Sequence, residues 1–438
     1  MNLTILEKVY KKYKISSGVE INSKKVKEGS IFISLKGERY DGNCFASEAI
    51  SNGAVLAIMD NDKYNFKSEK IIFVKNALSF LHKLAYYHRI KNAHIPTIAI
   101  VGSNGKTTTK EITKLILSKK YEHVHSTFHN MNNHIGVPLT ILSMPKKTQI
   151  SLIEIGASHE KEIEKMCSIV NPDYGYITSF GKAHLEGFYN IQGIIKSKLE
   201  LYNFLREHNK LAFINGDDPI QMNNSKNLRK FIFSSKIKKP DVLFKYFYNE
   251  KKMKNELTVN NTKIISSVMG EYNLCNIASS ITLGIYFKVP LFDIKKAVEE
   301  YIPNNYRLQL IKKNKKNIII DCYNANPTSM MKSLIFFESK KGIIGNKAVV
   351  LGDMLELGPF SNQEHEKIVD FIEKSHINYA FLIGKDFFKT KKTDQKIKKF
   401  INKNMFLEWI KKNPMKNIDF VLIKGSRKVS LESIISFI

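Results

Sequence analysis

Cysteine, arginine and long apolar runs are all scarce in this chain of 438 residues. Its four cysteines, Cys44, Cys167, Cys275 and Cys322, are scattered without paired spacing, which leaves no disulfide framework and no cysteine zinc site to propose. No apolar run approaches the roughly 18 residues that a membrane helix needs. The segment Met1 to Tyr10 lacks the basic start, apolar middle and small-residue cleavage site of a signal peptide. These absences predict a cytoplasmic protein without membrane insertion. Only six of the 69 basic residues are arginine, so the net charge of +28 comes almost wholly from lysine. Isoleucine and asparagine are abundant as well, the joint skew expected when A/T-rich codons are favoured. The lysine groups Lys312-Lys313, Lys315-Lys316 and Lys398-Lys399 carry no interleaved aromatic motif and read as solvated loops and helix faces. A nucleic-acid partner is therefore not expected, although the charge can steer anionic nucleotides.

What is present is a globular composition, 43% hydrophobic, over a length that exceeds what one core usually serves. The first ninety or so residues read as a small α/β unit, with strands at Ile31 to Leu35, Ala54 to Met59 and Ile71 to Val74 and a helix at Leu78 to Ile90. A boundary follows near Lys91 to Pro96. From Thr97 to Asn215, apolar strands alternate with amphipathic helices, which predicts a mostly parallel sheet wrapped by helices. The polar stretch Lys236 to Ile265 reads as short antiparallel strands on the edge of that sheet. A second alternation after Pro303, with strands at Asn317 to Asp321, Ala348 to Leu351, Tyr379 to Ile383 and Phe420 to Ile423, predicts a Rossmann-like domain. The fold class is thus α/β with domains at 1–92, 93–302 and 303–438.

The chemistry starts at Gly102-Ser103-Asn104-Gly105-Lys106-Thr107-Thr108, between the apolar run Ile98 to Val101 and a helix start. This is a phosphate-binding loop. Gly102 and Gly105 permit the tight backbone, and the free N–H groups and dipole of the helix attract anionic oxygen. Lys106 is placed to reach the terminal phosphates and the Thr107 hydroxyl to sit on Mg²⁺. The spacing is shorter than usual, because Ile100 stands where the first glycine of a P-loop would be. Downstream, Ser151 to Ala157 puts Glu154 at the end of an otherwise apolar strand, and a buried strand carboxylate calls for a metal or another cation. Glu154 is therefore a candidate Mg²⁺ ligand beside Thr107. His184 follows a strand, where a lone histidine is more often a loop or core residue than a ligand, and Lys198 lies on a helix where a lysine is normally solvated. In the last domain a strand delivers Asp321, Asn324 and Asn326 into a turn, donors and acceptors suited to an adenine edge and ribose hydroxyls. Arg307 and Arg427 fall in polar turns, where a guanidinium grips phosphate or carboxylate.

Taken together, Gly102 to Glu111, Asn130 to Leu139, Glu154 to Ala157, His184 to Gly187, Asp321 to Pro327, Leu351 to Gly358 and Lys424 to Arg427 resemble the Mur ligases. The closest likeness is to the type that joins D-alanyl-D-alanine to UDP-N-acetylmuramoyl-tripeptide, and the shortened phosphate loop is the form these ligases use. The resemblance implies an ATP-dependent amide ligase acting through an acyl phosphate, three domains around one site, and two Mg²⁺ ions. It implies that Thr107 and Glu154 hold the first ion and that His184 and Lys198, the latter as a carbamate, serve the second. Asn132, Asn133, Asn324 and Asn326 become nucleotide-side candidates, and Arg307 approaches phosphate when the last domain closes. The first domain is implied to bind the UDP portion through Ser23, Lys24, Lys36, Gly37, Asp41 and Gly42. Here Asn22-Ser23-Lys24 replaces the family's common Asp-Ser-Arg, and a lysine lacks the bidentate fork. Tyr272 likewise stands where histidine is frequent. The sibling ligases that add the third amino acid usually carry Asp-Asn-Pro-Arg in the last domain, and this chain does not. A monomer is expected.

Overall fold

The computed structural model describes residues 3–38, 40–64, 68–250, 252–304, 306–339, 345–392 and 394–438. Among them, a four-stranded parallel sheet in sequence order (Val19–Glu20, Ile31–Ile33, Leu56–Met59, Ile71–Phe73) forms the first unit. The helix Ala77–Lys91 closes it, started by Asn76, whose side chain accepts from Ser79 N.

The central sheet has seven parallel strands, in the order Val242–Leu243, Arg229–Ser234, Leu211–Asn215, Tyr174–Ile177, Thr97–Val101, Ile150–Glu154, Val124–Ser126. Its strands are apolar on both faces because helices cover both: Ile98 and Ile100 enter one core, Ala99 and Val101 the other. The strand Thr97–Val101 lies where the chain order reverses, the place at which open α/β sheets hold ligands. Glu154 pairs in register with Ile100 on the neighbouring strand, so its carboxylate is delivered beside the phosphate loop.

The stretch Lys236 to Ile265 departs from the sequence expectation. Only Val242–Leu243 joins the edge of the main sheet, and it does so parallel. Lys245–Asn249, Lys254–Val259 and Thr262–Ser266 form a separate antiparallel sheet, whose strand Thr262–Ser266 lies against the helix Leu291–Glu300, and Leu257, Val259 and Ile264 share one core with Ile294, Ala297 and Val298.

The last domain carries a six-stranded sheet, in the order Gln309–Lys313, Lys316–Asp321, Phe420–Lys424, Lys347–Gly352, Tyr379–Ile383, Ile397–Phe400, with only the first pair antiparallel. Its two outer strands carry Lys312-Lys313 and Lys398-Lys399, read above as loops or helix faces. Edge strands tolerate such residues because one side is unpaired and charge discourages further pairing.

The first and central domains are tied through helices. Tyr13 Oη donates to Leu142 O at 2.5 Å. Arg89, buried on the helix Ala77–Lys91, donates to Val170 O at 3.0 Å and Asn171 O at 3.2 Å and pairs with Asp173 at 2.9 Å. Removing one partner of a buried, hydrogen-bonded ion pair strands the rest. Arg89→Leu is expected to lower stability by on the order of 3 kcal/mol, and a thermal or denaturant midpoint equal to that of the parent chain would refute this.

Candidate active site

The phosphate loop leaves Val101 and enters the helix Lys106–Leu117. Gly102 (φ 144°) and Gly105 (φ 85°) adopt left-handed backbone, and a Cβ would overlap Thr178 Oγ1 at the first and Asn276 Oδ1 at the second. The neighbouring strand end clamps the loop: Ser103 N donates to Ser179 O at 3.0 Å, Asn104 N to Ser179 Oγ at 3.0 Å, and Thr178 Oγ1 to Asn104 O at 2.6 Å. These bonds hold the first N–H groups of the helix toward the cleft. Ser103 Oγ is buried without a hydrogen-bond partner among the described residues. Lys106 Nζ donates to Gly102 O at 2.6 Å, and burial lowers its pKa against the opposing pull of Glu154.

Glu154 is 2% exposed. Its carboxylate accepts from Thr107 Oγ1 at 2.9 and 3.2 Å and from Asn132 Nδ2 at 2.8 Å. Asn132, read from sequence as a nucleotide contact, donates to Glu154, while Asn133 Oδ1 accepts from Ile135 N at 3.1 Å and Gly136 N at 2.8 Å, ahead of the helix Gly136–Leu142. From the last domain, Arg307 Nη2 donates to Thr107 Oγ1 at 3.0 Å, its guanidinium lying 3.6 Å from the Tyr323 ring centre. Arg307 Nε is buried with no partner among the described residues. Arg307 sits between two left-handed residues, Tyr306 (φ 58°) and Leu308 (φ 47°), backbone strain of the kind that collects at functional sites.

The same domain reaches the loop again through Asn326, whose Nδ2 donates to Asn104 Oδ1 at 2.8 Å while its Oδ1 caps the helix Pro327–Glu338. Asn324 Oδ1 accepts from Ala325 N at 2.9 Å. Asp321 is ion-paired with buried Lys424 and accepts from Ser333 Oγ at 3.1 Å. His184 (φ 53°) places Nδ1 2.5 Å from Glu356 Oε2, and that contact holds the Glu356 pKa down. The loop from Ser103 to Thr108, with Asn132, Asn133, Glu154, His184, Arg307, Asp321, Asn324 and Asn326, lines one cleft of about 1090 Å³ between the carboxyl ends of two sheets. Arg427 lines it as well but pairs with Glu432 at 2.5 Å.

Three family models match the chain in order: "Mur ligase family, catalytic domain" over residues 16–89, "Mur ligase middle domain" over 100–284, and "Mur ligase, glutamate ligase domain" over 306–427. The UDP-N-acetylmuramoyl-tripeptide--D-alanyl-D-alanine ligase of Bacillus subtilis is 33% identical over 95% of this chain and 92% of its own length. The chain belongs to the Mur ligase family. The Rickettsia prowazekii ligase of the same name is 31% identical over 96% of this chain and 94% of its own. Among solved structures, MurF from Acinetobacter baumannii superposes with TM-score 0.83 at 27% identity, covering 95% of this chain and 92% of that one. The MurF ligase of Thermotoga maritima, solved in complex with ADP, superposes with TM-score 0.82 at 28% identity over 97% of each chain. The three-domain α/β architecture read from the sequence is that of this family.

Two groups of sequence-selected residues lie outside the cleft of this Mur ligase. Lys198 is 2% exposed behind it, Nζ 3.5 Å from Ala157 O and 5.0 Å from the Phe188 ring centre. Burial first, and Lys106 second, push its pKa down from 10.5 to about 7. The first-domain residues do not line it either. The backbones of Lys36 and Asp41 form an isolated antiparallel bridge, Gly42 N donates to Leu35 O at 3.0 Å, Asp41 caps the turn Gly42–Phe45, Ser23 is buried, Lys24 N donates to Asn22 Oδ1, and Gly37 N donates to Tyr40 O. Tyr323, Lys424 and Glu356 are site residues that sequence reasoning passed over. All three fall inside motifs already quoted or beside them, but their partners are distant in the chain.

Two predictions follow from this geometry. Gly105→Ala forces a Cβ into Asn276 and is expected to weaken nucleotide binding at least tenfold while the chain stays folded; calorimetric ADP binding equal to that of the parent would refute it. For Lys198, the unfolded chain holds a proton between about pH 7 and 10.5 that the native amine lacks, so stability falls as pH drops through that window. Lys198→Met is expected to be more stable than the parent by a margin that grows from pH 10.5 to 7 and is constant below, measured by denaturation against pH.

Proposed function

We propose that this chain joins D-alanyl-D-alanine to UDP-N-acetylmuramoyl-tripeptide at the expense of ATP. The observation that carries the reading is the Thr107, Glu154 and Arg307 cluster, where a phosphate-loop hydroxyl, a strand carboxylate and a guanidinium from another domain meet. Relatives at 31–33% identity bear this activity in their names and align end to end. The proposed division of labour is 1–92 for the UDP portion, 93–302 for ATP and 303–438 for the adenine side and closure.

A carboxylate is a poor electrophile because its leaving group is poor. Transfer of the γ-phosphoryl breaks its bond to the bridging oxygen of ADP and forms one to a peptide carboxylate oxygen. The neutral D-alanyl-D-alanine amine then attacks the acyl carbon, phosphate leaves, and the attacking nitrogen gives up one proton, leaving the amide N–H. In this scheme the loop 102–107, through the N–H groups that Ser179 does not take, and Lys106 hold the β and γ phosphates, and the partnerless Ser103 hydroxyl is free to join them. Arg307 offsets charge on the transferring group from the opposite side.

The donor set suits Mg²⁺, which keeps several waters and takes one or two protein oxygens beside phosphate. Thr107 Oγ1 and Glu154 would hold one ion, His184 and Lys198 would serve a second, and bound metal neutralises charge on the phosphoryl oxygens. No cluster of three or more His, Cys, Asp or Glu exists among the described residues, consistent with ions that arrive with the nucleotide. Lys198 supports a carbamate, because only a neutral amine adds carbon dioxide and an amine titrating at about 7 is substantially neutral near neutral pH. The carbamate would turn a buried amine into an anionic oxygen donor. With Nδ1 held by Glu356, His184 would offer Nε2 to the ion.

The test is phosphate release measured across two UDP-peptides, tripeptide and dipeptide, and two acceptors, D-alanyl-D-alanine and a diamino acid. Release is expected only with the tripeptide and D-alanyl-D-alanine together, and release with the dipeptide and diamino acid would overturn the reading. Lys106→Met is expected to reduce kcat/KM by about 10²–10³-fold, the scale of one preorganised electrostatic donor. Intact-protein mass spectrometry of the active, metal-loaded enzyme is expected to find Lys198 heavier by one carbon dioxide, and full activity in Lys198→Ala would count against the carbamate.

A further inference from the structure

Lys110 is a wholly buried cation to which the mechanism above gives no task. It follows Thr107 by three residues on the helix of the phosphate loop, so the two side chains share a face. Its Nζ donates to Thr127 O at 2.5 Å and lies 2.9 Å from Glu111 Oε1. Thr127, also buried, is held from the other side by the strand that carries Glu154. Its N–H donates to Leu152 O at 3.0 Å, and its hydroxyl accepts from Glu154 N at 2.8 Å. Glu154 in turn accepts from Thr107. The four residues close a ring that runs from the helix to Thr127, across to the strand and back to the helix.

We propose that Lys110 is a positioning residue, holding Thr127 and through it Glu154 in register with Thr107 so that hydroxyl and carboxylate converge on the cation of a bound nucleotide. This rests on the function proposed above for the nucleotide and its metal. Filling the core alone does not call for an ammonium here, since whole buried ion pairs are often replaced by apolar residues of similar volume without loss of stability. What the charge adds is a directed, strong bond to one carbonyl.

The experiment compares Lys110→Met, Lys110→Arg and Thr127→Val with the parent chain by calorimetric ADP binding, with Mg²⁺ and with chelator, alongside the thermal midpoint. Lys110→Met is expected to weaken ADP binding in Mg²⁺ about tenfold, the value of one charge-assisted hydrogen bond, and to change binding in chelator less than twofold. Lys110→Arg recovers most of the loss, and Thr127→Val, which keeps the carbonyl but loses the hydroxyl, reproduces it even where Lys110→Met fails to fold. Equal losses with and without metal, or unchanged metal-dependent binding in either Lys110→Met or Thr127→Val, would overturn the proposal. The binding readout needs neither peptide substrate, so a parent chain that binds Mg²⁺ and ADP but forms no amide rejects the proposed substrates while the Lys110 comparison still decides.

Discussion

The cleft depends on how the Glu154 carboxylate is compensated. It stands at the end of a strand that is buried on both faces, where an unpaired anion costs several kcal/mol, roughly. Two side-chain donors meet it, Thr107 from the phosphate loop and Asn132 from the following loop. Thr107 has one hydroxyl to offer, and that oxygen also accepts from Arg307. The carboxylate, the loop and the last domain are thereby linked through a single oxygen atom.

The same economy appears in how the domains meet. Asn326 to Asn104, Lys182 N to Thr328 Oγ1 at 2.8 Å, Lys182 Nζ to Glu364 at 2.8 Å, and His184 to Glu356 all join the central and last domains around the loop. Aromatic contacts run beside them, Phe336 of the last domain lying against Tyr248 and Tyr272 with ring centres 5.9 and 6.4 Å away. Between the first and central domains, Arg89 and Tyr13 are buried against backbone carbonyls.

Most of the secondary structure was legible because strands buried on both faces demand unbroken apolar runs. Thr97–Val101, Leu211–Asn215 and Tyr379–Ile383 have the ends that their composition suggests. Strands that escaped, such as Val124–Ser126, Gln309–Lys313 and Ile397–Phe400, lie on sheet edges, where one side is unpaired and polar residues are tolerated. The antiparallel pieces after Lys236 were legible as strands, but their separation from the main sheet was not, and they share a core with a helix some thirty residues later. In the cleft, Lys106, Thr107 and Glu154 announced themselves by type and position. Thr127 and Lys110 did not, because a threonine and a lysine carry no signal until their partners are known.

By itself, the sequence determined the phosphate loop, the family and the residues that come from single strand ends, since each is a local pattern of glycine, charge and apolar periodicity. Tertiary structure alone decided that Asn132 serves Glu154, that Asp321 is neutralised by Lys424, and that His184 faces Glu356. It also decided that Lys198 is buried deeply enough for its amine to lose a proton near pH 7. Each of these joins residues far apart in the chain, and desolvation or pairing exists only once folding has brought them within a few ångströms.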